Sequence, residues 1–311
     1  MAKYMVILNP VSGFGTGEKS YPRIVKALDS VGLDYDLVRS GHRGHIIELA
    51  RDAALGGYDV VVAAGGDGTV NEAINGLMAA KEAGVGGCAL GVLCVGRGND
   101  FAYGVDIPPD LEDAARVLAA GHRRTIDIGR VTGGLFPDGR YFGNCVGVGF
   151  DAIGTIEVAK LPRLGGFLSH FIAVLKTIFL YYKAPLSTIK FSDQVITQPS
   201  LLVSIMNGQR LGGGFMMAPD GKPDDGLFDL CIVHEVSRAR IFRLIPHFLR
   251  GTQATQEPIR TGQAKHITIP AEEGTLPAQT DGEILCVDGQ QLMVEILPLA
   301  MDVICSSPEG G

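Results

Sequence analysis

Val60-Val61-Val62-Ala63-Ala64-Gly65-Gly66-Asp67-Gly68-Thr69-Val70-Asn71-Glu72 decides the fold. The apolar run Val60–Ala64 has no polar interruption, as in a parallel strand covered on both faces. Glycines follow at once, and then Val70, Ile74, Leu77 and Met78 recur at helical spacing over Thr69–Lys81. Strand, glycine turn and helix in that order mark an open α/β sheet, whose ligands bind at the carboxyl ends of its strands. Consecutive glycines let the backbone approach a phosphate, and the N–H groups and dipole of the helix start favour an anion. A carboxylate inside such a loop repels phosphate, so Asp67 makes sense with a metal ion between them. The alternative is an ordinary turn with Asp67 or Thr69 as helix cap.

Working outward, Tyr4–Leu8, Tyr35–Val38 and Ala89–Val95 read as strands, and about Ser20 to Val31, His45–Leu55 and Leu111–Ala120 as helices. This alternation predicts a doubly wound, mostly parallel sheet over residues 1–127. Beyond Asp127 the pattern changes to strands with turn signals. Arg140–Val146, Thr188–Phe191, Leu201–Met206, Leu227–Val233, His266–Ile269 and Leu292–Ile296 predict a mostly antiparallel β domain over 128–297, with the tail from about 298 to 311 returning to the first domain. With 311 residues the chain suits two domains.

A net charge of −7 speaks against nucleic acid as a general partner. The six cysteines show no C-x-x-C pair and sit mostly in apolar runs, so they read as buried hydrophobes in a reducing compartment. No secretory signal is visible, and the greasiest stretch, near residues 161–182, is broken by Arg163, His170 and Lys176. The expectation is a cytoplasmic protein with peripheral membrane contact.

Two further turns occupy the same place relative to the sheet. Asn9-Pro10-Val11-Ser12-Gly13-Phe14-Gly15-Thr16-Gly17 follows the first strand. Its spacing is not that of a dinucleotide fingerprint, and no P-loop motif occurs in the chain. Gly96-Arg97-Gly98-Asn99-Asp100-Phe101 follows Ala89–Val95; Asp100 can extend a carboxylate network and Arg97 can meet phosphate. Later, Pro219-Asp220-Gly221-Lys222-Pro223-Asp224-Asp225-Gly226-Leu227 is an acidic turn-rich loop, read either as a hard-cation site or as solvated surface. Asp281-Gly282-Glu283 offers a carboxylate base for an alcohol, or a plain β-turn.

Two helices carry basic charge. A helix over Leu164–Tyr182 lies in a segment from Lys160 to Lys190 that holds five Lys/Arg and no acidic residue. A second, about Ser237 to Arg250, aligns Arg240, Arg243, His247 and Arg250, with a bend at Pro246. Basic, greasy helices suit an anionic membrane surface, the alternative being core packing with a solvated edge.

The set N-P-x-S-G, G-G-D-G-T-x-N-E, G-x-G-N-D-F, P-D-G-x-x-D-D-G and D-G-E resembles the diacylglycerol kinase catalytic-domain family, which includes bacterial lipid kinases and is related to sphingosine kinases and more distantly to NAD kinases. The resemblance runs in order from Asn9 to past Glu283. It implies a nucleotide-binding α/β domain and a β-sandwich domain, with ATP and lipid meeting in the cleft. It implies ATP contacts at Asn9, Pro10, Val11, Ser12 and Gly13, at Ser40, at Gly66, Asp67, Gly68, Thr69, Val70, Asn71 and Glu72, and at Arg97. Asp67, Asp100 and Asp127 match a carboxylate–water–magnesium network. Asp225, with the carbonyls of Lys222 and Leu227, matches a structural magnesium site, and Glu283 or Asp281 matches the base. Two positions depart from the pattern: Arg97 stands where a small hydroxyl residue is frequent, and Phe14 where a basic residue is common. Phosphate is then gripped by Arg97 or Lys19.

The function expected is an ATP- and magnesium-dependent lipid kinase acting on the hydroxyl of a diacylglycerol-like lipid. Its partners are the lipid and an anionic membrane, with a homodimer left open. The rivals are a soluble NAD kinase, which shares G-G-D-G-T, a non-catalytic nucleotide- or lipid-binding protein, and more distantly a Rossmann oxidoreductase.

Overall fold

The computed structural model describes residues 2–159, 172 and 184–307, and the expected helix Leu164–Tyr182 falls almost wholly outside them. The chain divides into two compact units, Met1–Ile126 with Leu299–Gly311, and Asp127–Pro298.

In the first unit the elements run β1 (Tyr4–Leu8), α1 (Ser12–Ser30), β2 (Tyr35–Arg39), α2 (His45–Leu55), β3 (Val60–Gly65), α3 (Asp67–Glu82), β4 (Ala89–Cys94), α4 (Asp100–Gly104) and α5 (Leu111–Ala120). The strands lie parallel in the order β2-β1-β3-β4. All of β3 and β4 is buried, which is why both read as uninterrupted apolar runs. Side chains of one sheet face, Val6, Leu8, Val62, Ala64 and Leu93, pack with Ile24 and Leu28 of α1 and Leu111 and Leu118 of α5. Asp110 caps α5 by accepting the N–H of Glu112 and Asp113, and Gly121 closes it in the left-handed conformation.

The second unit contains the rest of β5 (Arg123–Gly133), then β6 (Phe136–Phe142), β7 (Cys145–Gly149), α6 (Phe150–Ala159), β8 (Leu186–Phe191), β9 (Gln194–Met206), β10 (Arg210–Leu211), β11 (Phe215–Met216), β12 (Phe228–His234) and α7 (Arg238–Arg250). A 3₁₀ turn, Gln253–Thr255, precedes β13 (Ile259–Ala264), β14 (His266–Pro270), β15 (Leu276–Thr280), β16 (Glu283–Gly289) and β17 (Gln291–Ile304), whose last residues belong to the first unit. Its pairings are antiparallel: β16-β15-β7-β9-β8-β14-β17 in order, with β12 on β9 and β13 on β12. Phe142 and Phe228 stack in its core, with centroids 5.5 Å apart, among Val203, Ile205, Ile232 and Leu285.

Two expectations are corrected. The first helix begins earlier than Ser20: α1 opens at Ser12 and is kinked at Gly13, Phe14 and Gly15, which are all left-handed. The expected strand Arg140–Val146 is two strands, β6 and β7, because the N–H groups of Gly143, Asn144 and Cys145 bond the Asp281 carboxylate at 2.9, 3.1 and 2.8 Å instead of a neighbouring strand. The segments on either side of Asp281-Gly282-Glu283 are strands, as their sequence suggests, and form the hairpin β15–β16.

Among the described residues no helix is long and apolar enough to cross a membrane. None of the six cysteines is in a disulfide, and burial pushes the Cys231 thiol up to about 12, so it is chemically quiet.

Candidate functional site

Parallel register brings the turns of the first unit to one sheet edge. Leu8 lies opposite Arg39 and Ala64, and Gly65 opposite Cys94, so the chain leaves every strand at the same level. The turns then touch. A Cβ on Gly96 would fall 2.3 Å from the Gly66 Cα, and a Cβ on Gly66 would lie 3.7 Å from Ser12 Oγ and 3.9 Å from the Arg97 nitrogen. Only glycine lets the backbones close in this way. Asn9 ties the first turn to the second, its Nδ2 donating to Thr69 Oγ1 at 2.9 Å and its Oδ1 accepting the Val11 N–H at 3.2 Å. Buried Ser40 donates its N–H to the Leu8 carbonyl at 2.9 Å.

Asp67 Oδ1 accepts the Phe101 N–H at 3.0 Å. A Cβ on Gly98 would lie 2.8 Å from Asp67 Oδ2 and 3.2 Å from Asp100 Oδ2, so the two carboxylates flank this glycine. Desolvation pushes the Asp67 carboxyl above its ordinary range, against the pull of main-chain N–H groups from Phe101, Asp100 and Asn99. A divalent cation would offset that cost. Among the described residues no three acidic, histidine or cysteine side chains close on one point. Two carboxylates, with water and phosphate oxygens completing the shell, suit magnesium, which keeps several waters.

Not every expected residue is open at this edge. Val70, Asn71 and Glu72 are buried. Both Glu72 oxygens serve the start of α2, accepting the N–H of Gly44 at 3.0 Å and Ile46 at 3.2 Å. Its carboxylate is a helix cap across two elements. Lys19 is exposed, whereas Arg97 is half-buried with its guanidinium 4.0 Å from the Phe14 ring centroid.

Asp127 belongs to the second unit and is fully buried. Its Oδ2 accepts the Gly226 N–H at 2.7 Å and its own N–H donates to the Pro223 carbonyl at 2.6 Å, which fixes the acidic loop. In that loop Asp225 Oδ1 accepts the Leu227 N–H at 3.0 Å. The Asp229 carboxyl is pushed up, first by burial and then by the negative charges of Asp225 and Asp220. Surplus negative charge and an oxygen-only donor set of Asp225 with the Lys222 and Leu227 carbonyls fit a hard cation. Asp225→Ala is expected to lower the melting temperature measured in magnesium and to reduce the stabilising effect of magnesium on the ligand-free protein. A cation at about 100 times its Kd adds about 2.7 kcal/mol, several degrees. Identical magnesium responses in calorimetry would show no cation there.

The turn Asp281-Gly282-Glu283 joins β15 to β16, with Asp281 at φ 46° and Gly282 at φ 83°. Asp281 is 5% exposed and spends its carboxylate on the three N–H groups of Gly143–Cys145. Glu283 is more open and pairs with Arg140 at 3.3 Å. Sequence reasoning missed the residues that steady this turn. Gln279, fully buried, accepts the Gly282 N–H at 2.9 Å and donates to Asp151 Oδ2 at 2.9 Å. Desolvation pushes the Asp151 carboxyl up to about 6, with the Gln279 bond opposing it. Asn207 donates to the carbonyls of Asp127 and Gly143, each at 2.9 Å. A signal existed for Asp151: Val146–Asp151 repeats the strand, glycine and carboxylate order of Val60–Asp67.

Comparison with known proteins bears on both units. Residues 3–131 match the model of the diacylglycerol kinase catalytic domain, and residues 144–305 that of the YegS C-terminal NAD kinase beta sandwich-like domain. A diacylglycerol kinase of Bacillus subtilis is 29% identical over 91% of this chain and 90% of its own length. A probable YegS-like lipid kinase of Chromohalobacter salexigens is 34% identical over 77% of this chain and 74% of its own. Among solved structures, a putative diacylglycerol kinase from Bacillus anthracis superposes with a TM-score of 0.78 at 25% identity, covering 98% of this chain and 97% of that one. Yeast NADH kinase shares the fold, with a TM-score of 0.52 at 8% identity over 99% of this chain and 84% of that one.

Proposed function

The chain belongs to the kinase family that joins a diacylglycerol kinase catalytic domain to a YegS C-terminal NAD kinase beta sandwich-like domain, and from that premise we propose that it phosphorylates the hydroxyl of a diacylglycerol-like lipid with ATP and magnesium. The observation that carries the reading is the junction of the three glycine turns beside Asp67 and Asp100. Ser12, the main-chain N–H groups of Gly66 to Gly68 and Arg97 receive the polyphosphate. Asp67 and Asp100 hold the magnesium, which when bound neutralises charge on the transferring phosphate. Glu283 accepts the proton of the lipid hydroxyl, whose oxygen forms the new bond to the γ-phosphorus as the bond to the β-phosphate oxygen breaks and ADP leaves. Arg140 holds Glu283 in place, and Asp281 holds the turn.

The test offers the protein ATP with a short-chain diacylglycerol, a monoacylglycerol, a sphingoid base, phosphatidylglycerol and NAD, with and without magnesium. Magnesium-dependent phosphatidate is expected. Phosphorylated NAD with no lipid product would establish the soluble rival.

An insoluble substrate requires the enzyme to reach a surface, and α7 suits an anionic one. Phe242 and Leu249 are each 38% exposed beside Arg243 and Arg250, which make no ion pair among the described residues, and α7 contains no acidic residue. Each such arginine near an anionic bilayer contributes on the order of 1 kcal/mol, fading with salt. Reversing Arg243 and Arg250 to Glu is expected to weaken co-sedimentation with phosphatidylglycerol vesicles and raise the apparent lipid requirement. Turnover of a water-soluble short-chain substrate stays near wild type. Salt-insensitive binding unchanged by the reversal would make both arginines ordinary solvated surface.

A further inference from the structure

Phe14 occupies an unfavourable backbone. Its φ is 61°, and Gly13 and Gly15 on either side are also left-handed, at 58° and 86°. For a residue with a Cβ this conformation is sterically unfavourable, a cost that glycine at the same position would avoid. Such strain persists where the surroundings hold it in place, and it clusters at functional sites.

The ring accounts for the choice of residue. It lies under the Arg97 guanidinium, 4.0 Å from ion to centroid. The two turns also meet through their backbones, since a Cβ on Gly13 would come 2.9 Å from the Val95 carbonyl. Arg97 is half-buried, and desolvation lowers its pKa, so its charge stands in a poorly hydrated place that favours an anionic partner. The Arg97 guanidinium over the Phe14 ring turns its face to the ring, and the planar fork of N–H donors that a guanidinium carries suits phosphate oxygens taken in pairs. A lysine there would keep the charge and lose the plane.

We propose that Phe14 is a positioning residue for the phosphate donor: its ring fixes the Arg97 guanidinium at the junction of the turns Asn9–Gly13, Gly65–Gly68 and Gly96–Gly98, so that Arg97, and not the exposed Lys19, grips the polyphosphate. The inference rests on the reading of the chain as an ATP-dependent kinase and adds how this chain builds its phosphate grip. The cost of the left-handed Phe14 is the preordering of a side chain that otherwise samples many rotamers.

The test is calorimetric binding of ATP with magnesium to the full chain without lipid, alongside steady-state kinetics. Arg97→Ala is expected to weaken nucleotide binding about 10- to 100-fold, in line with a lost charged hydrogen-bond pair. Arg97→Lys falls between Arg97→Ala and wild type. Phe14→Leu weakens binding about 3- to 10-fold, in line with a lost cation–π contact, and Phe14→Tyr, which keeps the ring, restores it. Both losses appear in the KM for ATP and not in the KM for lipid. In the Arg97→Ala background, Phe14→Leu costs nothing more, because the ring then has no cation to hold. Additive losses, wild-type affinity in folded Arg97→Ala, or Phe14→Tyr binding no better than Phe14→Leu each overturn the pairing while leaving the kinase reading intact. A wild-type chain that binds no nucleotide overturns both.

Discussion

Asp67→Asn is expected to stop phosphotransfer, with kcat down at least about 10²-fold, while the protein stays folded. The size follows from losing a group that holds charge-stabilising machinery at the transferring phosphate. The amide oxygen of Asn can still accept the Phe101 N–H that Asp67 Oδ1 accepts at 3.0 Å, so the turn before α4 keeps its anchor. The charge is what disappears. Burial opposes ionisation at Asp67 while the main-chain N–H groups of Phe101, Asp100 and Asn99 favour it, so in the absence of magnesium the neutral side chain should leave the melting temperature close to wild type. A fall in activity without a fall in stability separates this substitution from ordinary core damage. The measurement is kcat and calorimetric melting on the same preparation, with circular dichroism as a check of the fold. Near-wild-type turnover in the folded variant would remove magnesium from Asp67.

Much of the architecture was legible because burial on both faces leaves an unmistakable record. β3 and β4 are wholly buried and read as apolar runs, and the glycine turns after them follow from backbone contacts such as Gly66 on Gly96. The antiparallel unit was legible in kind but less so in detail. Leu276–Thr280 and Glu283–Gly289 carry Pro277, Gln279, Asp288 and Gly289, residues that dilute the strand signal, and tertiary pairing with β7 supplies what local propensity lacks.

The site was legible wherever a turn sits at a strand end, and opaque wherever a side chain is consumed by a distant partner. Glu72 stands in the same motif as Asp67, yet its two oxygens reach back 26 and 28 residues to cap α2. Arg140, Asn207 and Gln279 occupy strands or loops without any motif of their own, and only the fold brings them to the Asp281 turn. Phe14 looked like a departure from the family pattern, as did Arg97. Their meaning is joint, and a linear reading cannot stack one on the other.

Asp281 and Glu283 looked equivalent in the sequence, and substitution should separate them. Glu283→Gln is expected to lower kcat by about 10²- to 10⁴-fold, the range for loss of a general base, with little change in melting temperature. Its amide oxygen can still accept from Arg140, so the neighbourhood survives while the proton acceptor is gone. Asp281→Asn acts differently. The left-handed φ of 46° suits Asn as well as Asp, so the turn itself is not strained by the change. Asp281 Oδ1 takes the N–H groups of Asn144 and Cys145 and Oδ2 takes that of Gly143, all three buried bonds. An amide has one oxygen, so its NH₂ must face an N–H donor on one side or the other. A buried donor left unsatisfied costs about 1–3 kcal/mol, or several degrees of melting temperature in a unit of this size. Asp281→Asn should therefore melt earlier and lose activity chiefly as the turn at Gly143–Cys145 loosens, with partial recovery on cooling. Glu283→Gln should show no such recovery at any temperature. Should Asp281→Asn be the variant that stays stable and inactive while Glu283→Gln turns over normally, the base is Asp281 and the roles given to the two carboxylates are reversed.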